Sequence, residues 1–232
     1  MTNPFRYFNG SPEIIRLAVM MYVRYPLSLR NVEDLLAERG IDISYETIRF
    51  WWNRFGPIFA AELRKKRVAR MGVHPQWCWH VDEVFVKVNG KLCYLWRVVD
   101  HEGEVLEAVV TAKRDKAAAL KLLKRIMKRY GRSRQIVTDG LPAYAAALRE
   151  IGAADRHEVG HRRNNRAENS HQPFRRRERA MQRFRSRQTL QKFSSVHAQV
   201  HNHFNQERHL VGRDGYKLRR SIALADWRTL AA

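Results

Sequence analysis

Asp82 is the first residue of this chain that asks for a chemical explanation. It lies in QWCWHVDEVFVKV, residues 76–88, a run of aromatic and β-branched residues that reads as a strand. Alternation puts Cys78, His80, Asp82, Val84 and Val86 on one face, and Trp77, Trp79, Glu83 and Phe85 on the other. Asp82 and Glu83 are therefore expected to point apart. A bare carboxylate among small and apolar neighbours is costly. Two partners would remove that cost: a bound cation, or Arg97, which a two-residue turn at Asn89-Gly90 sets directly across the hairpin. Asp139 follows Ile136-Val137 and precedes Gly140, at the C-terminal end of a short strand where α/β sheets place ligands. An ordinary Asp-Gly turn gives the same string. Glu168 shares a helical face with His171 and Arg175, unless it is a surface or capping glutamate. Carboxylates of this kind suit hard divalent cations such as Mg2+ or Mn2+.

Other strings offer different chemistry. His157-Glu158-Val159-Gly160-His161 matches the H-E-x-x-H zinc signature, which needs both histidines on one face of a stable helix. Gly160 and the polar flanks argue against such a helix, and no clear third ligand follows. His197, His201 and His203 cluster without cysteine partners, so they read as core or DNA-contacting histidines rather than zinc ligands. Cys78 and Cys93 are too few for a disulfide framework and stand about eight strand residues out of register.

The positioning elements fall into three pieces. Residues 1–60 carry three helical segments. Ile14, Ile15, Leu17, Ala18, Met21 and Tyr22 form the first stripe. Ser28 caps the second helix, which stops at Gly40; Ser44 caps a third, ended by Gly56-Pro57. This punctuation is that of a helix-turn-helix, with Tyr45, Arg49 and Asn53 on the outer face of its third helix. Any three-helix bundle would show such a face. Residues 61–74 form a basic linker or connecting helix. From 75 to 232 the pattern is α/β: a hairpin turning at Asn89-Gly90, a strand around 105–111, a helix over 116–130, a strand at RQIVTD, a helix from Pro142 to Ile151, and a strand near His157. Arg-rich helices follow. Three antiparallel strands followed by alternating helices and strands is the order of an RNase H-like domain, a mixed five-stranded sheet with flanking helices.

Charge narrows the partners. Lys and Arg number 44 against 23 acids, a net +21. Such a field draws polyanions, and the basic residues are spread through folded patterning rather than gathered in a juxtamembrane block, which favours nucleic acid over membrane. Between Phe174 and Gln188 there are seven Arg and one Glu. No segment has the roughly 18 apolar residues of a membrane span, and the first residues carry no export signal. A cytoplasmic protein that meets nucleic acid is expected.

WHVDEVFVKVNGK, then VTDG, then RNNRAE with a basic residue seven after the glutamate, resembles the DDE transposases of the IS-six insertion-sequence family. The resemblance runs along almost the whole chain. It implies that Asp82, Asp139 and Glu168 are a catalytic and metal-binding triad, holding two Mg2+ or Mn2+ ions. It places Arg175 where the family usually has Lys; the charge of the 174–188 run sets Arg176 and Arg179 beside it on the phosphate backbone. It implies 3′-end cleavage at terminal inverted repeats and strand transfer into target DNA, by a homo-oligomer that is at least a dimer. A non-catalytic DNA-binding regulator, a decayed transposase or another RNase H-like nuclease are the alternatives. Two departures stand out: only 28 residues separate Asp139 from Glu168, and Pro173 interrupts the helix through Glu168.

Overall fold

The computed structural model describes residues 3–71, 78–160, 162–181, 184–205 and 211–231. The end of the expected linker (72–74), Pro75, the first residues of the expected strand (76–77) and His161 lie outside the described residues. The chain forms two compact units, one of residues 1–66 and 199–232, the other of residues 67–198.

The first unit is helical. Ser11 accepts from the Ile14 amide and Pro12 opens α1 (Pro12–Arg24), an arrangement that satisfies a free amide and uses proline where it lacks nothing. Ser28 and Asn31 cap α2 (Leu29–Ala37) reciprocally. Ile48, Trp51, Trp52 and Phe55 of α3 (Tyr45–Met71) face the core as the spacing predicts. That helix does not stop at Gly56-Pro57 as expected; it runs through Pro57. An interior proline costs ~3 kcal/mol. Continuing the helix buries Phe59, Ala60 and Leu63, and each large apolar side chain returns about 1.5–3 kcal/mol. Packing wins.

The last 34 residues correct the expected boundary, because residues 199–232 join this helical unit rather than the sheet. Trp227 of α8 (Arg213–Arg228) is the anchor. It is 2% exposed, meets Phe59 edge-on and packs on Phe204, and its indole N–H donates to the Arg16 carbonyl. In return the Arg16 Nε donates to the Leu230 carbonyl.

The second unit is built on a five-stranded sheet in the order β3-β2-β1-β4-β5. β1 (Cys78–Val88) and β2 (Lys91–Asp100) form the expected hairpin, with Asn89 and Gly90 both at positive φ as a type I′ turn requires. β3 (Val105–Thr111) completes the antiparallel part. β4 (Gln135–Thr138) and β5 (His157–Val159) add in parallel beside β1. Residues Trp79 and Val81 of β1 share one face with Trp96 and Val98. Leu122, Leu123 and Ile126 of α4 (Lys116–Tyr130) and Tyr144 and Leu148 of α5 (Pro142–Glu150) cover that face. The alternate residues of β1 meet α6 (Asn165–Ala180), which α7 (Arg187–Phe204) backs with Phe193 against Phe174. α6 runs unbroken through Pro173, and burial of Phe174 and Arg177 just beyond holds the helix together there. This is an RNase H-like sheet with helices on both faces. Among the described residues no helix is long and apolar enough to cross a membrane.

Candidate active site

The site arises where strands of unequal length lie side by side. β1 has 11 residues and β4 only four. Their last paired residues are Val81 and Thr138. Continuing that parallel register by one step brings Asp139 beside Asp82, so two acids remote in the chain become neighbours. Asp139 is fixed by a tight turn: its Oδ1 accepts from the Leu141 amide at 3.1 Å. Gly140 then takes φ +95°, and a side chain there would meet Val159 Cγ1 at 2.9 Å. Only glycine satisfies both conditions.

Glu83 joins them, which corrects the expectation that neighbouring acids on β1 must point apart. Carboxylate oxygens of Asp82, Glu83 and Asp139 all lie within 4.8 Å of one another. The alternation of faces still holds within the paired sheet. Beyond Thr138, however, no named strand of the described residues pairs with this side of β1 until the Val88–Phe184 bridge, and side chains from both faces reach the open edge between. Glu83 is nearly buried there. The Tyr144 hydroxyl donates to it at 2.5 Å, Arg114 forms an ion pair with it, and burial pushes its carboxyl above the usual carboxylate range. Arg114 also stands 3.5 Å from Asp139, so one guanidinium already spans two of the three acids.

The cross-strand pair with Arg97 does not form. Asp82 and Arg97 are opposite one another in register, as expected. Yet no ion pair joins them, and Arg97 Nε and Nη2 are buried without a hydrogen-bond partner. Burial alone lowers the Arg97 pKa to about 10. α6 packs over β1 and β2 and supplies the partner instead: His171 Nε2 lies 3.1 Å from Asp82 Oδ2. Burial holds the His171 pKa below its ordinary value against the pull of the Asp82 carboxylate, and Nε2 is the donor because a carboxylate can only accept.

Glu168 is exposed in the first turn of α6 and is not one of the three clustered acids. It lies one helical turn before His171, on the same face. Arg175 is half-buried and paired with Glu178 at 2.5 Å. Arg176 and Arg179 are exposed, while Arg177 turns inward over the Phe193 ring, so the basic run is not wholly a surface. His197 is a core residue between Phe174 and Phe193. The zinc-like string begins in β5, not in a helix, and Glu158 binds Gln135 and Arg163.

On α3, Tyr45 is flanked by the guanidinium groups of Arg30 and Arg49, and Arg49 is paired with Glu46. Asn53 is exposed. Sequence reasoning missed the neighbouring groove of about 1030 Å³, lined by Arg6, Tyr7, Thr47, Phe50 and Arg54. Phe50, beside the two inward tryptophans, is 58% exposed. The missed Glu83 had one signal, the mismatch between a long β1 and a short β4. Arg114 had none.

A family model described as a DDE domain matches residues 76–207. The transposase for insertion sequence-like element IS431mec of Staphylococcus aureus is 32% identical over 149 residues, which is 64% of each chain. The transposase for insertion sequence element IS257 in transposon Tn4003, also from Staphylococcus aureus, is 31% identical over the same shares. The chain thus spans just under two thirds of the length of these relatives. Among solved structures, a chain of the simian T-cell lymphotropic virus intasome in complex with PP2A regulatory subunit B56 gamma matches 58% of this chain and 51% of its own, at 21% identity and a TM-score of 0.46. With its model matched across the sheet, the acid cluster and α6, the chain belongs to the DDE transposase family of IS-six insertion sequences.

Proposed function

We propose that this protein is a DNA transposase that cleaves 3′ ends at terminal inverted repeats and transfers them into target DNA. One observation carries the reading: Asp82 and Asp139, 57 positions apart in sequence, converge at the open end of β4 with a third carboxylate. The donor set is all oxygen, and a guanidinium is already drawn into it, so the cluster fits a divalent cation such as Mg2+ or Mn2+. Asp82 and Asp139 would hold it, with a third carboxylate from Glu168 on α6 or from Glu83, the acid already beside them. Bound there, two divalent ions would activate the attacking oxygen and stabilise the leaving one at phosphorus.

The residues of the chain do the rest. β1 and β4 hold the two aspartates at fixed separation, and α6 carries Glu168 and the basic side chains of Arg175, Arg176 and Arg179 alongside. Those arginines hold the phosphate backbone; the helix-turn-helix of residues 1–60 reads the ends through Tyr45, Arg49 and Asn53, and the basic stretch 61–74 tracks phosphates between them. Pairing of two DNA ends calls for at least a dimer, acting on the chromosome in the bacterial cytoplasm.

Purified protein with Mg2+ is expected to nick and join oligonucleotides bearing the inverted repeats that flank its gene. Asp82→Asn and Asp139→Asn should abolish joining and leave end binding intact. Strand transfer at the wild-type rate by either variant removes that residue from the triad. Because Glu83 lies inside the cluster and Glu168 is exposed, Glu83→Gln and Glu168→Gln together decide which supplies the third carboxylate.

A further inference from the structure

We infer that His171 is a positioning residue that holds the Asp82 carboxylate ready for a divalent cation and docks the helix bearing Glu168 onto the strand bearing Asp82. The inference rests on the metal-dependent reading above and adds to it a residue outside the three acids.

The geometry is specific. Asp82 sits on β1 with its side chain nearly buried, and among the described residues His171 is the one side chain that hydrogen-bonds to its carboxylate. The residue best placed by register to do so, Arg97, makes no bond to it. His171 is itself 7% exposed, and its second ring nitrogen, Nδ1, is buried without a partner. The ring is therefore held by one polar contact, through Nε2. An aspartate that accepts a fixed N–H at Oδ2 loses freedom to rotate about its terminal bond. Its remaining lone pairs then stay directed, as the outer neighbours of metal-bound groups do in general.

A second contact makes the hydrogen bond a dock as well. Asn164, fully buried just before α6, donates from Nδ2 to the Val81 carbonyl at 3.0 Å. Two side chains of the α6 segment thus grip consecutive residues of β1, Val81 and Asp82. Glu168 lies between those two grips in sequence, so its distance from Asp82 is set by them. An apolar residue at 171 would pack in the same space without fixing either carboxylate.

The test uses the full chain and Mn2+ as probe, with free Mn2+ read by electron paramagnetic resonance, independently of DNA cleavage. In glutamine the amide nitrogen falls near the position of Nε2; in asparagine it falls near Nδ1, too short to reach Asp82. His171→Gln is expected to bind Mn2+ within about threefold of wild type, and His171→Asn and His171→Leu about 10–100-fold more weakly. Thermal melting in chelator should fall further for His171→Asn than for His171→Gln, because only glutamine keeps the bond to Asp82; Mn2+ affinity, read well below both melting temperatures, is the quantity a merely structural role would leave unmoved. Mn2+ affinity of His171→Asn equal to that of His171→Gln, or wild-type affinity in His171→Leu, would overturn the inference. A wild-type chain that binds no Mn2+ would instead sink the metal-dependent reading itself.

Discussion

Removing one acid from the cluster should make the protein more stable without metal and indifferent to metal, and Asp139→Asn is the cleanest way to do it. Carboxylate oxygens of Asp82, Glu83 and Asp139 lie within 4.8 Å of one another. At that separation each pair of unit charges repels by about 3.5 kcal/mol at an effective dielectric of about 20. Arg114 offsets part of this, and solvent at the partly exposed Asp139 trims it further. A divalent cation relieves what remains. With 10 mM Mg2+ and a dissociation constant on the order of 1 mM, linkage gives about 1.4 kcal/mol. For a chain of this size that raises Tm by roughly 3–6 °C. Asparagine keeps the shape and the acceptor for the Leu141 amide but removes one charge. In scanning calorimetry, the variant should melt at or above wild type in chelator and show less than half the Mg2+ shift. An undiminished shift in Asp139→Asn, or none in wild type, refutes the reasoning.

Burial raises the Glu83 carboxyl above its ordinary 4.5, so the folded chain binds that proton more tightly than the unfolded one. Stability from this group is present below pH 4.5 and lost as pH rises through the raised value. In chelator Glu83→Gln should therefore melt above wild type near neutrality, with the gap closing toward pH about 4; a gap that widens on acidification contradicts the sign. Gly140→Ala forces a left-handed backbone and a 2.9 Å approach to Val159, and should lower strand transfer by displacing Asp139 while DNA-end binding holds. Trp227→Ala should cost the helical unit about 3–5 kcal/mol in denaturant titrations monitored by helical circular dichroism. A loss under 1 kcal/mol would show that residues 199–232 do not anchor that unit.

Local chemistry made much of the fold readable. The Asn89-Gly90 turn, the Ser28 cap and the glycine ending α4 are short-range signals, and the elements they bound form as the residues dictate. What escaped depends on distant partners. Pro57 should stop a helix, and does not because Phe59 and Leu63 have somewhere to go. Trp227 looks like any late tryptophan until Phe59 and the Arg16 carbonyl are known to face it. Neither outcome is written in the residues adjacent to it.

The site shows the same division more sharply. Asp82 and Asp139 could be picked out because each sits at a place a strand pattern marks. Register then joins them: once β4 lies parallel to β1 with Thr138 opposite Val81, the next step along both strands is aspartate beside aspartate. Glu83 was set aside by the same alternation that found Asp82, since alternation assumes a neighbour strand on each side. β4 ends one residue too early for that assumption. An open edge is where a sheet can bring opposite-face residues to one ligand, and it is also where unpaired backbone would otherwise be a liability. Here the edge is occupied by acids, a guanidinium and the turn that leads into α5. The short strand is thus the feature that makes a three-acid pocket possible. Converting Asp139-Gly140 to Val-Thr, which would extend β4 and remove the second aspartate together, is expected to abolish the Mg2+ shift.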